Sequence, residues 1–280
     1  MTMTDVDLQP IIRLTRDVRK AATTLSDSEA RYLVDQYYTL QKYRIRADNQ
    51  VRSLTKPNEE EQPAEPHETV SFFAAQFETL ENSIKSALET YSLAQIPGNW
   101  ARSICGIGPV LAAGVLAHID ITKAPPAGHI WRYAGLDPTV TWEKKTKRPW
   151  NASLKVVTWK IGESFVKVHN NESDYYGHVY AERKAWETAK NDAGDYHQQA
   201  EQALSAKKYG DDTTAKEFYS QGKLPPGRIH ARAKRYAVKL FLSHYQHVAY
   251  QAHYGSPPPK PYVLTHLQHA HYLAPPNWIN

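Results

Sequence analysis

The sequence predicts an all-α protein, and three observations carry that expectation. Apolar residues recur at three- and four-residue steps over long stretches, no stretch alternates apolar with polar residues as a half-buried strand would, and proline and glycine fall where helices must stop. The expected order is a helical amino-terminal region, a coiled-coil-like helix, and then a domain built around a helix-hairpin-helix.

Between Ile11 and Thr55, Leu33, Tyr37, Leu40, Ile45, Val51 and Leu54 keep helical spacing, and Ser26 or Asp27 with Glu29 supplies a helix start. Residues 1–56 therefore read as a helical hairpin, with Lys42, Arg44, Arg46 and Arg52 on a solvated face. Residues 57–69 carry Glu59, Glu60, Glu61, Glu65 and Glu68 among Pro57, Pro63 and Pro66, a composition suited to a solvated linker. In residues 70–95, Phe73, Phe77, Leu80, Ile84 and Leu88 form an apolar seam, which pairs with another helix of the chain or of a second copy. The expectation is a homo-oligomer joined by these five residues.

Pro97-Gly98 stops that helix and opens a domain over residues 96–255. Leu154 to Val168 reads as a helix with Trp159 and Phe165 inside and Lys155, Lys160 and Lys167 outside. Ser173 to Lys190 is a second, and a helical insertion occupies 191–226, with helices over Asp195 to Tyr209 and Thr213 to Tyr219. Pro225-Pro226-Gly227 then starts a long helix, Arg228 to Tyr254, before an irregular Pro- and His-rich tail over 256–280.

With 280 residues, 41% of them hydrophobic, the chain is long enough for a real core, and its net charge of +5 permits an acidic partner. Distribution is more telling than the total. No Asp or Glu follows Glu217, whereas Lys223, Arg228, Arg232, Lys234, Arg235, Lys239 and Lys260 all do, with seven histidines. The single cysteine, Cys105, cannot form an internal disulfide and points to a reducing compartment, as expected of a cytoplasmic protein. No apolar run is long enough to cross a bilayer and no leader opens the chain, so no membrane partner is expected.

The most informative segment is Gly106-Ile107-Gly108-Pro109 before the small-residue helix Val110 to Ile119. A Gly-x-Gly turn reaches conformations that a Cβ forbids, and it presents the amides of a helix start, a seat for a phosphate oxygen. The competing reading is a tight turn into a buried helix. Downstream come Trp131-Arg132-Tyr133-Ala134-Gly135-Leu136-Asp137-Pro138, Tyr175-Tyr176 and the basic run His230 to Leu240.

In this order these segments resemble the carboxy-terminal half of the insertion-sequence-110 transposases, the family that includes the Piv and MooV DNA invertases. Ile104 to Pro109 is similar to its Ile-Pro-Gly-Ile-Gly-Pro signature, and Tyr133 to Pro138 to its Tyr-Ala-Gly-Leu-x-Pro. The resemblance implies a DNA partner, and structured RNA as a further one. Two departures limit it. The family's amino-terminal domain of strands and helices with acidic metal ligands is absent, residues 1–95 being too short and too helical. Its serine nucleophile, in the loop after Gly-Leu-x-Pro, is also absent: Thr139 to Trp150 contains no serine.

That loop instead gains Lys144, Lys145, Lys147 and Arg148 beside Trp142 and Trp150, and cations interleaved with aromatics suit phosphate contact and stacking. The expected DNA-binding set is Gly106, Ile107, Gly108, Lys144, Lys145, Lys147, Arg148, Arg228, Arg232, Lys234, Arg235 and Lys239. No catalytic residue, metal or cofactor is expected. His244 with His247, and His266, His269 and His271, lack the cysteines or carboxylates that would complete a zinc site, and no phosphate-loop or dinucleotide motif occurs. A non-catalytic protein that binds duplex DNA is the reading, against a recombinase with a threonine nucleophile or a protein of structured RNA.

Overall fold

The computed structural model describes residues 13–55, 65–259 and 273–278. Among these, regular structure consists of eleven α-helices and two short 3-10 turns, with no strand. The expected residues Lys260, His266, His269 and His271 lie outside the described residues, as does most of the acidic linker. The chain divides into two compact units, the first holding the described residues up to Asn99 with Gly108–His118, the second Trp100–Ile107 with those from Ile119 onward.

In the first unit, α1 (Arg16–Ala21) leads through a 3-10 turn into α2 (Asp27–Thr55). Ser26 and Glu29 start α2 reciprocally: the Ser26 amide donates to the Glu29 carboxylate at 2.8 Å and the Glu29 amide to the Ser26 hydroxyl at 3.3 Å. This is a capping box. With no Gly or Pro inside it, α2 runs unbroken for 29 residues. It lies antiparallel to α3 (Glu68–Leu93), fixed at one end by the Tyr91 hydroxyl donating to Asp27 at 2.8 Å and further along by Arg44 on Glu81 at 2.6 Å.

After α4 (Ile96–Arg102) comes α5 (Pro109–His118), buried at every position except Leu111 and packed on both α2 and α3. A helix apolar all round belongs in a core, and Ala112, Ala113, Gly114 and Ala117 let its neighbours approach closely.

The second unit is organised on α11 (Pro226–Tyr254), against which α6 (Ala127–Tyr133), α7 (Ala152–Val168) and α8 (Tyr175–Asp192) pack. Proline at its start and Gly255 in the left-handed region at its end delimit α11. Gly162 of α7 faces it so closely that a Cβ would meet the Lys234 side chain at 2.6 Å. The core is aromatic: Phe165 stacks on Tyr176 with centroids 4.9 Å apart, and Trp100 on Phe241 at 5.6 Å. A smaller cluster of Tyr196, Ala200, Tyr219, Leu224 and Ile229 holds α9 (His197–Ala206) and α10 (Thr214–Ser220). A strap, Leu273 to Trp278, ties back to this unit. The Trp100 indole donates to Pro276 O at 2.8 Å, Asn277 to Ser103 O at 2.9 Å and Trp278 to Gln251 at 3.0 Å.

Candidate nucleic-acid interface

Tyr133-Ala134-Gly135-Leu136 is the end of α6. Gly135 sits at φ +67°, its amide donates to Arg132 O at 3.1 Å, and the Leu136 amide reaches Trp131 O at 2.8 Å. This Schellman motif satisfies the last carbonyls and reverses the chain. The indole of Trp150 then lies on Gly135, and the Lys155 ammonium stands 4.0 Å from the centre of that ring. Asn151 caps α7 by accepting from the Leu154 amide at 2.8 Å, and its side-chain amide donates to the Tyr133 hydroxyl at 2.9 Å.

The intervening loop is ordered by short bonds. Asp137 accepts from the Thr139 amide and hydroxyl at 2.9 and 2.7 Å, the Thr146 hydroxyl donates to Glu143 O at 2.8 Å, and the Trp142 indole to Thr146 O at 2.9 Å. Lys145 adopts φ 77°, a conformation ordinarily left to glycine. Lys144, Lys145, Lys147 and Arg148 are all exposed, with Arg148 above Trp142 at 5.5 Å.

On α11 the expected cations divide into two groups. Arg232 is half-buried and paired with the buried Glu187 at 2.7 Å, where Arg183 and the Tyr196 hydroxyl also bond; Lys234 pairs with Glu163. Arg228, Arg235 and Lys239 lie in no ion pair of this unit among the described residues, nor do the loop cations. Lys239 stands 4.2 Å over Trp131, whose indole donates to Lys239 O at 3.0 Å.

The free cations crowd one another. Burial and then the charges of Arg148 and Arg235 pull the Lys155 pKa down, while burial followed by Arg232 and Arg228 does the same to Arg235. Lys239 is lowered by burial, with Asp137 opposing and Arg235 assisting. The loop, the start of α7 and the outer face of α11 thus form one positive surface.

Sequence reasoning placed Trp159 inside α7, but it is 57% exposed and carries Lys234 at 5.3 Å from its centre. The inner face of α7 is taken by Leu154, Val157, Ile161 and Phe165. Lys155, Trp131 and the Arg183 stack between Trp186 at 4.0 Å and Tyr236 at 4.6 Å were not singled out as site residues. Their only sequence signal is aromatic and basic residues recurring on neighbouring helices.

At the glycine turn, Gly106 takes φ +85° and its carbonyl accepts from the Ser164 hydroxyl of α7 at 2.5 Å. Arg102 donates to Ile107 O at 2.6 Å, and the side chain of Ile107 is buried. Gly108 has nothing within 4 Å of where a Cβ would sit, and its carbonyl accepts from the Ala112 amide at 3.0 Å as the first bond of α5.

Of the seam on α3, Leu88 is fully buried, Leu80 and Ile84 are half-buried, and Phe77 meets Tyr43 of α2 at 5.7 Å. Phe73 is 52% exposed. No group of three or more His, Cys, Asp or Glu suited to a metal occurs among the described residues, and no described helix is long and apolar enough to cross a membrane.

Residues 99–152 match the model of the Transposase IS116/IS110/IS902 family, as expected of an IS110-family transposase domain. The match runs from α4 through the glycine turn, the α6 cap and the basic loop to the first residue of α7. No curated protein and no solved structure matches the chain. A transposase-related function follows from the matched segment.

Proposed function

We propose that the protein binds duplex DNA through its phosphates and does not cut it. The single observation that supports this best is the surface on which Arg148, Lys155, Arg228, Arg235 and Lys239 repel one another and form no ion pair among the described residues, with only the opposing fields of Asp137 on Lys239 and of Glu187 on Arg235. A polyanion relieves that repulsion, and its condensed counterions are released on binding. At the turn the Ile107 amide is taken by Ile104 O at 3.0 Å, so the amides offered to a phosphate are those of Gly106 and Gly108, and Ser164, nine residues or about 14 Å along α7 from Lys155, holds the turn through the Gly106 carbonyl.

Cleavage would need an available nucleophile. The loop that follows Gly135-Leu136-Asp137-Pro138 holds no serine, and the secondary hydroxyls of Thr139, Thr141 and Thr146 carry an extra methyl that crowds an in-line approach. The protein acts as a homo-oligomer on this reading, with the exposed end of the α3 seam, at Phe73, as the contact.

Titrating a labelled duplex at several salt concentrations tests the proposal. Engagement of about five phosphates gives a log-log slope of about 4 to 5. An affinity that does not move with salt overturns it, as does nicking of supercoiled plasmid, with or without magnesium, that is abolished by changing Thr139, Thr141 or Thr146.

A further inference from the structure

Cations alone suffice for the phosphates of a duplex, yet this surface also exposes flat aromatic rings. Trp142 is 38% exposed, Trp159 57% and Trp186 45%. Each exposed indole leaves apolar surface in water, and in an intact duplex the base faces are already stacked on one another, so the rings have nothing to cover them there. Unpaired bases offer those faces.

Each ring also stands beside a cation: Arg148 at 5.5 Å from Trp142, Lys234 at 5.3 Å from Trp159, and Arg183 at 4.0 Å from Trp186. Lys190 stands a further 4.7 Å from the centre of Trp186, and the backbone of a strand whose bases stack on these rings passes within reach of positive charge. Trp159 and Trp186 flank α11 on α7 and α8, so the ridge of Arg228, Arg235 and Lys239 runs between two aromatic walls.

We infer that this surface takes an unpaired nucleotide strand, its bases stacked on Trp142, Trp159 and Trp186 and its phosphates on the α11 ridge. The inference rests on the nucleic-acid reading above and adds single-stranded or locally opened nucleic acid to the duplex which that reading describes. Stacking is indifferent to which base is presented, so no sequence preference follows.

The test compares labelled oligothymidylate with an abasic strand of the same length and with a duplex, by anisotropy at one salt concentration. The abasic strand carries the same charge without bases. Oligothymidylate binds at least about tenfold tighter than the abasic strand, Trp142→Ala lowers its affinity about tenfold, and Trp142→Phe restores most of it. Equal affinity for the two strands overturns the inference and leaves duplex binding standing, whereas failure of every ligand to bind removes both. An oligouridylate arm assigns the source: tighter binding there names RNA as the strand, tighter binding of oligothymidylate names DNA.

Discussion

The ring of Trp150 lies so close over Gly135 that a Cβ on the glycine would meet it at 2.9 Å. Gly135→Ala therefore meets two obstacles, the left-handed backbone and the displaced indole. Urea unfolding should show a loss of about 1–2 kcal/mol or more. Because Lys155 rests on that indole, duplex affinity should fall as well. An unchanged unfolding midpoint would contradict the packing.

The two glycines of the turn separate stability from binding. A Cβ at Gly106 would meet the Ser164 hydroxyl at 3.0 Å at a φ of +85°, so Gly106→Thr destabilises the fold. Gly108 has open space and precedes α5 as its cap, where threonine serves about as well as glycine. Gly108→Thr should keep the unfolding midpoint while lowering DNA affinity, because its bulk obstructs only an incoming backbone. Full binding by this variant would remove the turn from the interface.

Arg232 and Arg235, separated by one turn of α11, should respond differently. Arg235→Ala lowers the salt slope of DNA binding by about one. Arg232→Ala leaves a buried carboxylate short of a charged partner, so it lowers stability by about 1.5–3 kcal/mol with little change in slope. Parallel slope measurements on the two variants check this, and equal slopes would refute the division.

His244 ties stability to pH. Its Nε2 donates to Leu273 O at 2.9 Å, which leaves Nδ1 to accept from the Tyr176 hydroxyl at 2.7 Å, and burial pushes its pKa down from 6.5 to about 4. The unfolded chain binds this proton first as pH falls. The contribution is therefore complete above 6.5 and is lost progressively toward 4, on the order of 3 kcal/mol in all. His244→Leu should flatten the dependence between pH 6.5 and 4 measured by urea unfolding. An undiminished slope would assign it to other groups.

On α3, Phe73→Glu should reduce the mass seen in light scattering and leave the helical signal intact, since the ring is 52% exposed. Leu88→Ala, at a fully buried site, instead costs about 2–5 kcal/mol. A wild-type monomer would end the seam's role between copies.

The helices were legible because their signals are local. Ser26 with Glu29, Pro226 and the stepped apolar residues of α3, α7 and α11 each mark an element without reference to the rest of the chain. Gly135 was legible only as part of a signature; its physical role, a left-handed cap beneath Trp150, depends on a ring fifteen positions away. The division of the cations was not legible. Glu187 is 45 positions from Arg232 and Glu163 71 from Lys234, so charge counting could not distinguish these two cations from Arg235 and Lys239. Trp159 was misplaced for a related reason: a large apolar ring at helical spacing reads as core, and only the packing of α7 on α11 turns it outward.

The strap from Leu273 to Trp278 joins positions as far apart as 176 residues, Trp100 and Pro276, through a few hydrogen bonds and without belonging to any helix. Contacts of that kind close late in folding and reopen first, because little else must break with them. Release bares Ser103 and the indole of Trp100 just ahead of the glycine turn, so amides near residue 103 should exchange with solvent faster than those in the middle of α11. The residues just after α4 are in this way held from 174 positions away, by Asn277 on Ser103.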